Sequence, residues 1–255
     1  MQLLVSVRSA DEVEAALAGG ADIIDAKEPD RGSLGPVDHS TLRQIIRSAT
    51  GDCALSIALG DVTTTADVIA AFQGLELSER VSPTYLKFGF AGVASSEAIG
   101  LLLETAVSAG RTMAASPLVV AVAYADSERA GTVSPWVISS LAKSAGAAGV
   151  LLDTNGKGDG GLLDWVSAGV LIEWVGGVRE RGLLAGVAGS LREQDLVLVC
   201  PAQPDVLGIR GAACTGGRTG RVSAQRVRQF RRAMPQAEIA GYPVRGGVQS
   251  SSRNA

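Results

Sequence analysis

Eight times over, the chain alternates between a short β-rich apolar run and a segment of helical periodicity, and few architectures accept that pattern. The strand candidates are Leu3–Val7, Ile23–Lys27, Ala54–Leu59, Tyr85–Phe90, Leu118–Tyr124, Gly149–Asp153, Leu184–Gly189 and Val206–Arg210. Several are apolar throughout, as befits strands of a parallel sheet covered on both faces. The segments between them carry helix start and stop signals. Ser9-Ala10-Asp11-Glu12 reads as a capping box, and Gly19-Gly20 ends the helix it opens. Ser134 and Pro135 open another, whose stripe of Val137, Ile138, Leu141 and Ala145 stops at Gly146. A last helix begins at Ser223, with Val227 and Phe230 facing inward and Arg226, Arg228, Arg231 and Arg232 facing outward, as a solvated face or, alternatively, an oligomer contact. Such a series predicts an α/β protein with one domain over residues 1–235, a (β/α)8 TIM barrel, a fold that typically takes about 250 residues. An open doubly wound sheet is the competitor. It would show a Gly-rich dinucleotide loop after an early strand, and the first turn, Ser6-Val7-Arg8-Ser9, has none.

Composition narrows the function classes. The 255 residues are 46% hydrophobic and 19% charged, enough apolar material for a substantial core. A net charge of −3 gives no reason to expect nucleic acid as a partner. No apolar run reaches the roughly 18 residues of a membrane span, and Leu3–Val7, followed by Arg8, is too short for a signal peptide. Cys53, Cys200 and Cys214 are far apart and form no C-x-x-C, which fits reduced thiols in a cytoplasmic protein. With one histidine, no zinc set is available, and neither metal nor cofactor is expected. That histidine, His39, lies in an apparent helix start and reads as a surface residue. Past Pro235 the chain turns Gly/Ser-rich, and 236–255 is expected to be a flexible C-terminal tail.

In a barrel of this kind the active site lies at the C-terminal strand ends. The second strand ends with Asp25 and Lys27, which share a face because strand side chains alternate. Charges at such positions are costly to bury unless paired. The fourth strand carries Lys87; the sixth ends at Asp153, with Lys157 in the loop beyond. Asp61 and Asp126 follow the third and fifth strands. Clustered ammonium groups depress one another's pKa, and one amine is thereby freed as a nucleophile toward a carbonyl. Any of the three lysines is a candidate for that role. After the seventh and eighth strands, Gly189-Ser190 and Arg210-Gly211-Ala212 occupy the common phosphate position of such barrels, with Leu191–Val197 expected as a short extra helix aimed at the mouth. The turn Thr215–Arg221 is either a second phosphate loop or a plain turn.

The stretches LLVSV, GGADIIDAKEP with GSLG, ALGD, YLKFGF, AYAD, VLLDT, AGSL and GIRGAACTGG resemble the (5-formylfuran-3-yl)methyl phosphate synthases, from about Met1 to Phe230. The resemblance implies a cofactor-independent lyase that condenses two glyceraldehyde 3-phosphate molecules into a furaldehyde phosphate for methanofuran-type carriers. It also implies Lys27 as the Schiff-base lysine, Lys87 as a proton acceptor, and Asp25, Asp153 and Lys157 as further site residues. A homo-oligomer is implied as well. Two other readings of the same residues stand beside it: another class I aldolase or triose-phosphate enzyme, and a non-catalytic barrel that binds a phosphorylated metabolite.

Overall fold

In the computed structural model, residues 1–49, 53–77, 83–156, 158 and 160–235 are described. Eight parallel strands close into a barrel: β1 Gln2–Val7, β2 Ile23–Ala26, β3 Ala54–Asp61, β4 Thr84–Gly89, β5 Leu118–Tyr124, β6 Gly149–Asp153, β7 Leu184–Val187 and β8 Val206–Ile209. They pair in sequence order, and β8 returns to β1 through Leu4↔Gly208 and Val5↔Ile209. The expected strands match these within one or two residues. The open doubly wound sheet is thereby set aside.

The helices follow the strands. They are α1 Asp11–Ala18, α2 His39–Ser48, α3 Thr65–Phe72, α4 Ser96–Thr112, α5 Ser127–Ala130, α6 Pro135–Ala145, α7 Leu162–Trp165, α8 Ala168–Glu180, α9 Leu196–Val199 and α10 Ala224–Ala233. Outward strand residues such as Leu3, Val5, Leu55, Leu86 and Val150 form the main core against buried helix residues including Val13, Ile45, Val68, Leu103, Ile138, Trp174 and Phe230. Exclusion of this apolar surface from water is the main stabilising force. None of the helices is long and apolar enough to cross a membrane, among the described residues. His39 is exposed at the start of α2, where Asp38 rather than His39 caps the helix by accepting the Thr41 N–H at 2.9 Å. The three cysteines are free thiols.

Inward residues tell a different story. The floor of the barrel packs Leu4, Ile23 and Ala54. One layer up, the register sets Ser6 beside Asp25, Asp25 beside Ser56, and Ser56 beside Tyr85. Space for these larger groups comes partly from inward glycines. At Gly186 a Cβ would lie 2.8 Å from Leu151 Cδ1, so a larger residue there would have to displace the Leu151 side chain.

The expected capping box at Ser9–Glu12 does not form, since Ala10 takes the cap position without a side-chain bond. Glu12 instead turns into the barrel mouth and is buried, because a cationic partner waits there. Residues 236–255, expected as a tail, lie outside the described residues.

Candidate active site

Asp25 is wholly buried on β2 and accepts a hydrogen bond from Ser6 Oγ at 2.8 Å through Oδ2. Its other oxygen, Oδ1, contacts the Lys87 ammonium at 2.7 Å, with both side chains at 3% exposure or less. Strand alternation accounts for the pairing, because β3 lies between β2 and β4 and contributes only Ser56 and Ala58 at this level. The carboxylate closest to Lys87 is therefore the one that the sequence set beside Lys27. Burial works to raise the Asp25 pKa, yet the charges of Lys87 and Lys27 and the Lys87 and Ser6 hydrogen bonds outweigh it and hold the pKa below the usual carboxylate range.

Lys27 is the first residue past β2, and its N–H donates to Val7 O at 3.0 Å, which extends the strand alignment by one residue. Its buried side chain lines the same cavity as Asp25, Lys87 and Asp153, a space of about 230 Å³ at the barrel mouth. Asp153 is buried and accepts the Thr154 N–H at 2.7 Å. Lys157 lies outside the described residues.

The β7 and β8 ends border the other side of this cavity through Ala188, Gly189, Ser190, Gly211 and Ala212. Positive φ at Gly189 (104°) and Ser190 (56°) turns the chain sharply away from the barrel here. Gly211 opens a short 3-10 turn, Gly211–Ala213, whose first N–H groups have no acceptor within the turn. The extra helix expected over Leu191–Val197 starts later, as a 3-10 turn at Glu193–Asp195 followed by α9. Its leading N–H, on Arg192, is already taken by the Asp195 carboxylate at 2.8 Å. The Gly189-Ser190 and Gly211-Ala212 turns therefore form the lining at this end of the cavity.

Arg210 occupies the cavity wall, but its guanidinium is committed elsewhere. Nε donates to Arg218 O at 3.0 Å, Nη1 to Ser6 O at 3.0 Å and to Glu12, and Nη2 to Glu12 Oε1 at 3.1 Å and Gly220 O at 2.7 Å. That accounts for all five N–H donors of an arginine. With no donor left over, the Arg210 guanidinium is engaged by the protein itself.

Asp61 and Asp126 also prove to be supports. Asp126 is buried and accepts the N–H groups of Asn155 and Gly156 at 2.7 and 2.8 Å, fixing the loop after β6. Asp61 accepts from Tyr124 Oη at 2.8 Å and from the Ala91 N–H at 2.9 Å. Since the phenol gives its only proton to Asp61, Ser33 Oγ is the donor in the 3.2 Å contact with Tyr124. Burial and the Asp61 charge together hold the Tyr124 pKa well above the usual phenol value, so it stays a donor. This chain of bonds seats the loop after β2 over the mouth.

A family model described as 4-HFC-P synthase matches residues 3–231, every strand end included. The chain belongs to the 4-HFC-P synthase family. The (5-formylfuran-3-yl)methyl phosphate synthase of Methanocaldococcus jannaschii is 34% identical over 234 residues, covering 91% of this chain and 98% of that one. A protein of Streptomyces griseus named as a putative synthase of the same kind is 36% identical over 242 residues, 92% and 94% of the two chains. Among solved structures, phosphoribosyl anthranilate isomerase from Thermus thermophilus superimposes with a TM-score of 0.58 at 13% identity, covering 91% and 98% of the two chains. A 3-hexulose-6-phosphate synthase does so at 0.54 and 18%, covering 92% and 100%. These two likenesses show the barrel fold alone.

Two residues of this 4-HFC-P synthase family member escaped the sequence reading. Glu12, read as a cap, is the buried counter-ion of Arg210. Arg218, within a segment read as a loop or a turn, reaches into the cavity. An arginine directly after the Gly216-Gly217 pair was the available signal, and it was ambiguous because surface turns often contain one.

Proposed function

We propose that this furan phosphate synthase condenses two molecules of glyceraldehyde 3-phosphate, with Lys27 as the Schiff-base lysine. The observation that carries the reading is the meeting of Lys27, the Asp25–Lys87 pair and the β7–β8 backbone turn in one cavity. An amine, a proton-transfer pair and an anion-binding turn are what a carbonyl condensation on phosphorylated trioses requires. The names of the relatives support the product class.

In this mechanism one triose phosphate is first isomerised to its ketone, with Asp153 and Lys157 moving the proton. Lys27 Nζ then adds to the ketone carbonyl and expels water, forming an iminium that draws electrons from the adjacent carbon. Loss of a proton from that carbon gives an enamine, which attacks the aldehyde of the second triose phosphate and forms the new C–C bond. Lys87 protonates the nascent alkoxide and regains its proton from the carbon deprotonated in the elimination that follows, while the Asp25 carboxylate, steadied by Ser6, stays ionised as its counter-ion. Elimination of one phosphate, ring closure and release from Lys27 complete the sequence. From two trioses the balance is one furan aldehyde phosphate, one inorganic phosphate and two waters. No net oxidation occurs, so the stoichiometry asks for no redox partner. Cytoplasmic location and a homo-oligomer belong to the same reading.

Incubation with glyceraldehyde 3-phosphate alone tests it. A furan aldehyde absorbs in the near ultraviolet, and one phosphate should be released per product formed. Accumulation of a sugar bisphosphate or of the isomerised triose alone would point instead to another class I aldolase or an isomerase. Tight phosphate binding without turnover would make it a binding barrel.

A further inference from the structure

The condensation reading requires two phosphates in one mouth, whereas the backbone turn at β7 and β8 offers one cradle. Arg218 comes from the loop after β8 and stands beside that cradle, with its guanidinium directed away from it. Its backbone packs against Gly211, and its Nη2 reaches past the β1 end to donate to Gly32 O at 2.6 Å in the loop after β2. The guanidinium is thus carried from the β8 end toward the β2 end, where Lys27 lies, within the same cavity.

Four arginines frame this region, and three are already occupied, Arg192 by Asp195 at 3.6 Å. Arg8 is ion-paired with Glu28 at 2.8 Å and Asp30 at 2.7 Å. Arg210 has spent all its donors. Arg218 makes one hydrogen bond and has no carboxylate at ion-pair distance among the described residues. Half-buried, it loses hydration that this single carbonyl does not replace, and burial holds its pKa below the usual arginine value despite the more distant charges of Asp153 and Asp30. A cation so placed gains most from a multidentate anion, and phosphate matches the guanidinium fork.

The segment that carries it is held firmly. The small antiparallel pair β9 Cys214–Thr215 and β10 Arg221–Val222 frames the turn. Arg210 binds the carbonyls of Arg218 and Gly220, and Arg8 Nη1 reaches Thr219 O at 3.3 Å. A Cβ at Gly220 would collide with Thr215 O, so the tight turn depends on that glycine. These contacts pre-organise the guanidinium, as recognition of a small anion demands.

We propose that Arg218 binds the phosphate of the second triose phosphate, while the first occupies the β7–β8 backbone cradle. This rests on the condensation reading, and the test separates the two. In the full-length protein, Arg218→Met should raise the apparent KM for glyceraldehyde 3-phosphate about 10- to 100-fold, the loss of a charge-assisted contact. Borohydride trapping of dihydroxyacetone phosphate, a single triose phosphate, should still label Lys27 at the wild-type level. Arg218→Lys should recover part of the loss, since it restores charge without the fork. Arg8→Ala removes a tether of the same turn and leaves the cation in place, so its KM should move much less.

An unchanged KM in Arg218→Met would overturn the assignment while the condensation reading stands. Loss of the trapped adduct in step with turnover would also overturn it, because Arg218 would then serve the first substrate. Equal effects of Arg8→Ala and Arg218→Met would reduce Arg218 to a tether. Wild-type protein that makes no furan from glyceraldehyde 3-phosphate would remove the condensation reading and this proposal with it.

Discussion

Two buried ion pairs stand at the same end of this barrel, and they are built to opposite specifications. Glu12–Arg210 is saturated: the guanidinium uses every donor, and Glu12 also accepts the N–H groups of Arg8 at 2.9 Å and Val222 at 3.3 Å. Asp25–Lys87 is sparse, with one ammonium contact and one serine hydroxyl on the carboxylate, and it borders an open cavity. Burying charge is costly in both places. In the first, five backbone groups in two stretches, residues 6–8 and 218–222, depend on the pair, so its charges act as a fixed junction for the mouth. In the second, the pair faces the cavity with few partners, where the condensation reading gives it the proton transfers. On that reading, saturation rather than burial separates the two pairs.

Replacing both members of each pair should break this symmetry most visibly. Glu12→Leu with Arg210→Met leaves Ser6 O, Arg218 O, Gly220 O and the Arg8 and Val222 N–H groups without partners, at about 1–3 kcal/mol for each group that stays buried. A loss of roughly 5 kcal/mol is expected, seen calorimetrically as a fall in Tm on the order of 10–20 °C. By contrast, Asp25→Asn with Lys87→Met should leave stability within about 2 kcal/mol of wild type, or raise it, because exchange of a buried pair for less polar groups is often neutral or stabilising. Its turnover should fall roughly 10⁴-fold through loss of the proton-transfer groups. Equal destabilisation by the two double variants would erase the distinction.

A smaller effect is expected from pH. The folded pKa of Asp25 is depressed, so its ionisation contributes stability above the unfolded value of about 4 that is lost as pH falls through the folded one. The Tm advantage of wild type over Asp25→Asn should therefore be flat between pH 8 and pH 5 and shrink only below about pH 4. An advantage that already declines between pH 8 and 6 would mean that Asp25 takes up its proton well above the ordinary carboxylate range.

Much of the fold was legible because β-strands buried on both faces leave an unmistakable apolar run, and eight of them with intervening helices leave little choice of topology. Asp25 and Lys27 were correctly placed on one face, since alternation is a local property. The Asp25–Lys87 contact was less accessible, because it depends on the register across β3. Glu12 and Arg210 lie 198 residues apart, and Glu12 has a plausible local role as a cap. Local chemistry therefore suggested one partner and closure of the barrel supplied another. Arg218 was hidden for the same reason: its destination, Gly32, is 186 residues away.

The most direct test of the central claim is borohydride reduction in the presence of dihydroxyacetone phosphate, followed by peptide mass mapping. The expected result is a single reduced triose-phosphate adduct on Lys27, absent in Lys27→Arg, which keeps the charge but supplies no neutral amine. An adduct on Lys87, or one that still forms when Lys27 is replaced, would contradict the account.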